Sequence, residues 1–339
     1  MNKPVGVWTS TRRAWLRSSL TFGMGLALLS LAGPSLGQAV DWPQRGRPVR
    51  IVIPFPAGSD NMLRLIAQRL GEQTGGTFIV DNKPGAGTLI GAQDVARAPA
   101  DGHTLLYTIV VTHTQNPHLY KKLPYDPFRD FTPIVQTVRS GTILVTHPKA
   151  PFNNVQEMVA YAKKNPGALN YASYSLGSTS HLNGEILKHS TGLDIVHVPY
   201  KGVSDATRVV MAGDVQLYFD GTASAIESAK AGKLKLLGVA GDKRLAVRPD
   251  LPTISEQGVS GIDILGWQGF FAPGGLPAPL ADKIAAAVRQ VMQTPELQEV
   301  VRLQGNEVSG AGPEAFGKIV RSDYERWGEV IKRTGIQLD

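Results

Sequence analysis

Residues 51–60 read IVIPFPAGSD, and this stretch decides the fold class. The apolar run 51–53 predicts a short buried strand, and the Pro- and Gly-containing residues 54–58 predict a tight loop. Ser59 or Asp60 is a good N-cap for a helix, because the apolar side chains that follow recur at helical spacing. The stretch is therefore a strand, a loop and the start of a helix.

The same order of elements repeats along the chain. Strands at 78–80 and 104–109 alternate with a helix around 90–97, which predicts a parallel α/β sheet. Further strands are predicted at 142–146, 170–173, 195–198, 215–219, 234–239 and 267–273, and C-terminal helices at 278–292, 295–303 and 313–334. We predict two doubly wound lobes, the first holding 40–145 plus 265–339 and the second 146–264.

Residues 1–37 predict an export signal. A basic segment precedes an apolar stretch at 20–32 and the small residues Ser35 and Gly37, which is the order of such signals. The apolar stretch is shorter than the ~20 residues that span a bilayer. The pair Arg12-Arg13 fits both a twin-arginine signal and an ordinary Sec signal. Either route predicts a mature protein in the periplasm.

The composition argues against several functions. The chain has no cysteine, which removes disulfides and thiolate catalysts. Its net charge is +7, but removing the four basic residues of 1–37 from the total of 35 leaves 31 against 28 acidic residues. Without a basic run, nucleic-acid binding is not expected. The sequence contains no convincing motif for a metal, a cofactor or a catalytic nucleophile. We therefore expect that the protein binds no cofactor and is not an enzyme.

Two loops, residues 55–60 and 173–181, stand out as candidate binding loops. Each follows a predicted strand and precedes a helix, at the edge of the sheet where α/β proteins bind ligands. Each also combines Gly with hydroxyl residues at a helix start, where free backbone amides and the helix dipole favour an anion. Facing each other across a cleft, they would clamp a small carboxylate. The alternative is that both are only turns with N-caps.

A series of short motifs runs through nearly the whole chain after the export signal. The motifs are 54–58, 81–87 with 90–92, 101–106, 116–117 with 119–127, 169–173, 177–178 with 181–182, 197–202, 249–253 and Trp267. In this order they resemble the extracytoplasmic solute-binding proteins of tripartite tricarboxylate transporters, the Bug or TctC family. The resemblance implies an α/β, two-lobed periplasmic-binding-protein fold with a cleft between two doubly wound sheets.

The resemblance also implies a function and a set of site residues. Such a receptor would be a monomer that captures a small organic carboxylate, a di- or tricarboxylate or an aromatic acid, and delivers it to large and small permease subunits in the membrane. In the family, the loop after the first strand and a Gly-Ser helix start hold the ligand's carboxyl groups. The matching residues are Phe55, Gly58, Ser59 and Asp60 in the first loop and Ser173, Gly177, Ser178 and His181 in the second. Asp220 stands where some members place an acidic or polar residue near the ligand, which can meet an amino or hydroxyl group. Thr112 and His113 are further candidates for the cleft wall.

Two departures from the family pattern bear on the ligand. Residues 56–60 are two residues shorter than the usual P-A-G-G-x-x-D, which removes backbone donors. Tyr174 and Leu176 stand where small residues are usual, and they would make the cleft more apolar if they point inward. These departures leave open a larger or aromatic carboxylate and a weakened affinity. Alternative functions are a ligand sensor for a kinase and a periplasmic hydrolase or isomerase.

Overall fold

The computed structural model of the protein describes residues 41–58 and 60–338. These residues belong to one compact unit, Val40–Asp339. The predicted export signal at 1–37 and the candidate ligand residue Ser59 lie outside the described residues. Within 41–58 and 60–338, no helix is both long and apolar enough to cross a bilayer.

The described residues form eleven strands and ten α-helices. The strands are β1 (Val49–Ile53), β2 (Phe78–Asn82), β3 (Thr104–Ile109), β4 (Phe131–Ser140), β5 (Thr142–Thr146), β6 (Asn170–Ser173), β7 (Val196–Pro199), β8 (Leu217–Gly221), β9 (Lys235–Ala240), β10 (Gly266–Pro273) and β11 (Glu307–Ala311). The helices are α1 (Asn61–Thr74), α2 (Leu89–Ala96), α3 (Asn116–Leu119), α4 (Val155–Lys164), α5 (Thr179–Thr191), α6 (Val203–Ala212), α7 (Thr222–Lys230), α8 (Ala278–Met292), α9 (Pro295–Leu303) and α10 (Pro313–Thr334). A π-helical turn, Val111–Gln115, joins β3 to α3.

The first sheet has six strands in the order β11-β4-β10-β3-β1-β2. β1 lies parallel to β2 and β3, as the alternation of strands and helices predicted. β10 runs antiparallel to β3 and β4, and β11 runs antiparallel to β4, so the sheet is mixed rather than parallel throughout. β4 was not predicted from the sequence. It contains Pro133, and a residue without an amide donor argues against a strand. Pro133 sits beside an irregularity in the pairing of β4 with β10.

The second sheet has five strands in the order β7-β6-β8-β5-β9. β6 is parallel to β7 and β8, whereas β5 runs antiparallel to β8 and β9. The chain enters this sheet at Gly141, which alone separates β4 from β5, and it leaves through residues 241–265, which connect β9 to β10. β5 pairs in the second sheet, although the predicted first lobe extends to residue 145. The residue boundaries of the two lobes remain a prediction.

Successive side chains of a strand point to opposite faces of the sheet, so neighbouring residues of β1 pack in different hydrophobic cores. Ile51 and Ile53 pack in a cluster with Leu63 of α1. Val52, which lies between them, belongs to a second cluster that also contains Leu144 of β5. Because this second cluster includes strands of both sheets, apolar packing joins the sheets in addition to the two chain crossings.

Candidate ligand-binding cleft

A cavity of about 510 Å³ lies where elements of both sheets meet. On the side of the first sheet, Phe55 in the loop after β1 and Trp267 of β10 line it. On the side of the second sheet, Tyr174 in the loop after β6 and the start of α7 line it. The crossing residues 140–142 also line it. This volume suits a small organic ligand, and the mixed apolar and polar wall is typical of such sites.

Asp220 presents a buried carboxylate to this cavity. It lies near the end of β8, is fully buried, and lines the wall. Its Oδ1 accepts from the Gly221 amide at 2.8 Å, whereas Oδ2 has no hydrogen-bond partner among the described residues. Burial raises the pKa of Asp220 to about 6, and Ser224 and the Gly221 amide offset this only in part.

Two tyrosines, Tyr174 and Tyr218, also line this cavity. Tyr218 precedes Asp220 by two residues on β8, so both side chains are on one face of the strand. The Tyr218 hydroxyl is buried and has no hydrogen-bond partner in the described part of the chain. Burial raises the pKa of Tyr218, and the negative charge of Asp220 adds to the effect. The wall thus holds two buried polar atoms, Asp220 Oδ2 and the Tyr218 hydroxyl oxygen, that have no hydrogen-bond partner among the described residues.

The second predicted binding loop is largely bonded to itself. The Ser178 hydroxyl caps α5 by accepting from the His181 amide at 3.3 Å, and it donates to the Ser175 carbonyl at 2.7 Å. The Gly177 amide donates to His181 Nδ1 at 3.0 Å, and the Ser173 hydroxyl donates to the same carbonyl of Ser175 at 2.9 Å. Ser173, Gly177, Ser178 and His181 are outside the residues that line the cavity, so their contact with a ligand remains a prediction.

The first predicted loop contributes Phe55 to the wall, whereas Gly58 and Asp60 are outside it. The Gly58 amide donates to Asp60 Oδ1 at 3.0 Å, and Asp60 pairs with Arg64 at 2.6 Å. Burial opposes ionisation of Asp60, but the bonds from Arg64, Gly58 and Asn82 outweigh it and lower the pKa of this carboxyl. Asp60 is therefore ionised, and its bonds to Gly58 and Arg64 order the start of α1.

Thr112 and His113 are buried in the first sheet's core rather than among the cavity-lining residues. Thr112 bonds to the hydroxyls of Thr108 and Thr88 at 2.6 and 2.8 Å. The His113 ring stacks on Phe271 with centroids 3.8 Å apart, and burial lowers the pKa of His113 to about 3. His113 is therefore a neutral packing residue at physiological pH, and its proposed place in the cleft wall stays untested.

Sequence reasoning missed several polar residues of the wall. Asn183 donates to the Thr142 hydroxyl at 3.1 Å, and the Thr222 hydroxyl donates to the Gly141 carbonyl at 3.0 Å. These bonds fasten α5 and α7 to the crossing between the sheets. Asn183 follows Thr179 by four residues and therefore shares its helix face, a spacing that the sequence does show. No motif marks Gly141 or Thr142.

The raised pKa of Asp220 predicts a stability that depends on pH. Its value in the folded protein is about 6, against an ordinary 3.8, so the folded state binds the proton more tightly than the unfolded chain. Stability contributed by the protonated form is lost as the pH rises from about 4 to about 6, by about 2–3 kcal/mol. We expect the Asp220→Asn variant to escape this loss.

The measurement is the difference in free energy of unfolding between Asp220→Asn and wild type at several pH values. A difference is needed because burial lowers the pKa values of His181 and His197 to about 4, which makes stability rise over the same pH range. The exposed Asp214→Asn variant, which removes a carboxylate outside the cavity lining, is the matched control. A constant difference for Asp220→Asn from pH 4 to 7 would contradict the prediction.

Comparison with known proteins agrees with this architecture. The family model described as "Tripartite tricarboxylate transporter family receptor" matches residues 62–336. The "UPF0065 protein in tcbD-tcbE intergenic region" of Pseudomonas sp. (strain P51) is 33% identical over 314 residues, which are 91% of this chain and 92% of that protein.

Two solved structures with bound ligands are similar along most of the chain. R. palustris Rpa4515 with adipate has a TM-score of 0.78 and 34% identity, and the match covers 88% of this chain and 99% of that one. MatC from Rhodopseudomonas palustris with bound malate has a TM-score of 0.74 and 30% identity, and the match covers 85% and 100%.

The chain forms two mixed β-sheets flanked by helices, crosses between them twice, and has a ligand-sized cavity where elements of both sheets meet. This arrangement defines a two-lobed periplasmic-binding-protein fold. This confirms the predicted fold class. The chain belongs to the tripartite tricarboxylate transporter receptor family, TctC, which also contains the Bug proteins. The family prediction is therefore confirmed. Because the family and its structural neighbours are solute-binding proteins, the prediction of a binding protein rather than an enzyme is confirmed as well.

Proposed function

We propose that the protein captures a small organic carboxylate in the cavity and delivers it to a permease made of a large and a small membrane subunit. The observation that carries the proposal is that residues from both sheets line one ligand-sized cavity. A ligand that contacts both sheets only when they are close together favours the closed form by its differential affinity. The closed, loaded receptor is then a form that a permease can distinguish from the empty one.

The solved relatives with adipate and malate support a carboxylate as the ligand class. Among the residues described as lining the cavity, none is a lysine, arginine or histidine. A carboxylate in this cavity would therefore be held by backbone amides and by the hydroxyl and amide side chains of the lining residues. The export signal predicted at 1–37 supports action in the periplasm, where the protein would work as a monomer.

The test is a thermal-shift screen of the chain from about residue 40 against mono-, di- and tricarboxylates, aromatic acids and amino acids. A ligand at 100 times its Kd adds about 2.7 kcal/mol to stability, so a true ligand should raise the Tm by several degrees. The amide of each acid is the control, since it keeps the shape and loses the charge. Equal shifts with acids and amides, or none with any acid, would overturn the proposal.

A further inference from the structure

The π-helical turn Val111–Gln115 carries buried polar groups that stability alone does not explain. Gln115 is fully buried, and its Oε1 has no hydrogen-bond partner among the described residues. His113 of the same turn leaves both ring nitrogens in that condition. A buried polar atom without a partner lowers stability, and a methionine of similar shape in place of Gln115 would avoid that cost. Since π-helical turns occur frequently at functional sites, Gln115 is a candidate for a role in function.

The amide nitrogen of Gln115 bonds to an element of the second sheet. Gln115 Nε2 donates to Thr179 Oγ1 at 3.1 Å, and both side chains are buried. Gln115 follows β3 of the first sheet, whereas Thr179 is the first residue of α5, which follows β6 of the second sheet. The bond therefore joins the two lobes, and it can form only when they are close together.

Each partner of this bond is held by its own side of the cleft. Beside Gln115, the Asn116 side chain donates to the Gly87 carbonyl at 2.7 Å, which fastens the end of the turn to the loop after β2. Beside Thr179, the Ser178 hydroxyl caps α5. Because neither partner is free to follow the other, the bond is lost when the lobes separate.

The bond also decides what the Thr179 hydroxyl can do. Thr179 lines the cavity, whereas Gln115 is outside the lining residues. A hydroxyl has one hydrogen to donate, and its oxygen can accept. Because Thr179 Oγ1 accepts from Gln115, its hydrogen is directed away from Gln115 and can be donated to an acceptor in the cavity. A carboxylate oxygen is such an acceptor.

We propose that Gln115 is a positioning residue of the ligand site. From the first lobe it fixes the Thr179 hydroxyl of the second lobe as a hydrogen-bond donor to the ligand, so this donor is in place only when the lobes close. The inference rests on the proposed function, and it names a residue that acts on the ligand of that same cavity through Thr179.

The test is isothermal titration of the chain from residue 40 with acetate, malate, adipate, citrate and benzoate. We expect at least one acid to bind the wild type, and Gln115→Met to weaken it at least about tenfold. Thr179→Val, which removes the hydroxyl, should weaken the same acid to a similar extent. Thr179→Ser keeps the hydroxyl and should bind within about threefold of the wild type, a rescue that the loss of packing alone would not give.

The double variant Gln115→Met/Thr179→Val separates positioning from a general disturbance of the fold. Because Gln115 acts through Thr179, the double variant should bind within about threefold of Thr179→Val alone. The matched control is Gln136→Met, which removes the side chain of another buried glutamine. Gln136 of β4 bonds to Ser309 of β11 within the first sheet, so its loss should leave affinity unchanged. Losses that multiply in the double variant would overturn the inference.

The same four proteins report on the bond without any ligand. In a double-mutant cycle on unfolding, the equilibrium constants should show a coupling of about fivefold between Gln115→Met and Thr179→Val. Absence of coupling, or full affinity in a folded Gln115→Met protein, would overturn the inference and leave the proposed function standing. A wild type that binds none of the five acids would overturn both.

Discussion

Replacement of Trp267 by alanine should lower the free energy of unfolding by about 3–5 kcal/mol, the range for deleting a large buried ring. Trp267 lies on β10, is 2% exposed, and packs edge-on against Phe316 of α10 with centroids 5.0 Å apart. Its Nε1 donates to Asp323 Oδ2 at 2.9 Å. The alanine variant loses the ring and also removes this donor from a buried carboxyl. Denaturant unfolding followed by circular dichroism measures the loss.

Phenylalanine variants separate the bond from the packing. Trp267→Phe keeps most of the ring and loses the bond to Asp323. Trp327→Phe makes the same change at a fully buried tryptophan whose Nε1 has no hydrogen-bond partner among the described residues. We expect Trp267→Phe to cost about 1–2 kcal/mol more than Trp327→Phe. Equal losses would show that the bond to Asp323 contributes nothing.

The sequence predicted the helices of this fold better than the topology of its sheets. α8, α9 and α10 begin and end at the predicted residues, since each has a proline in its first two positions and apolar residues at helical spacing. β11 was missed because its five residues are only partly buried and show no alternation. The antiparallel return of β10 between β3 and β4 depends on long-range pairing, which local periodicity does not encode.

The sequence indicated the residues that line the candidate site better than it indicated their hydrogen bonds. Loop position after a strand indicated Phe55, and family resemblance indicated Asp220; both line the cavity. Strand alternation from Asp220 would also have indicated Tyr218. Whether Ser178 caps its own helix or binds a ligand depends on where its hydroxyl points. Spacing does not determine that direction, and in the structure the hydroxyl accepts from the His181 amide and donates to the Ser175 carbonyl.

Substitution of Gly221 by phenylalanine should weaken ligand binding at least about 100-fold, which corresponds to about 2.7 kcal/mol. Gly221 ends β8 and lines the cavity, and a Cβ atom built on it meets no other atom within 4 Å. Its φ of −63° is open to any residue, so the backbone accepts the side chain without strain. The ring would take up part of the cavity of about 510 Å³. Calorimetric titration with the ligand found in the acid screen measures the loss.

Two further glycine variants help to interpret the loss of affinity expected for Gly221→Phe. Gly221→Ala adds one methyl group and should change affinity less than about tenfold, because little of the cavity is filled. Gly177→Phe makes a poor comparison, since its Cβ would lie 2.8 Å from Leu119 Cδ1 and the φ of 69° is left-handed. A weakened Gly177 variant would therefore report on folding as much as on binding. Full affinity in a folded Gly221→Phe protein would instead place the ligand outside this cavity, because ring and ligand would occupy the same space.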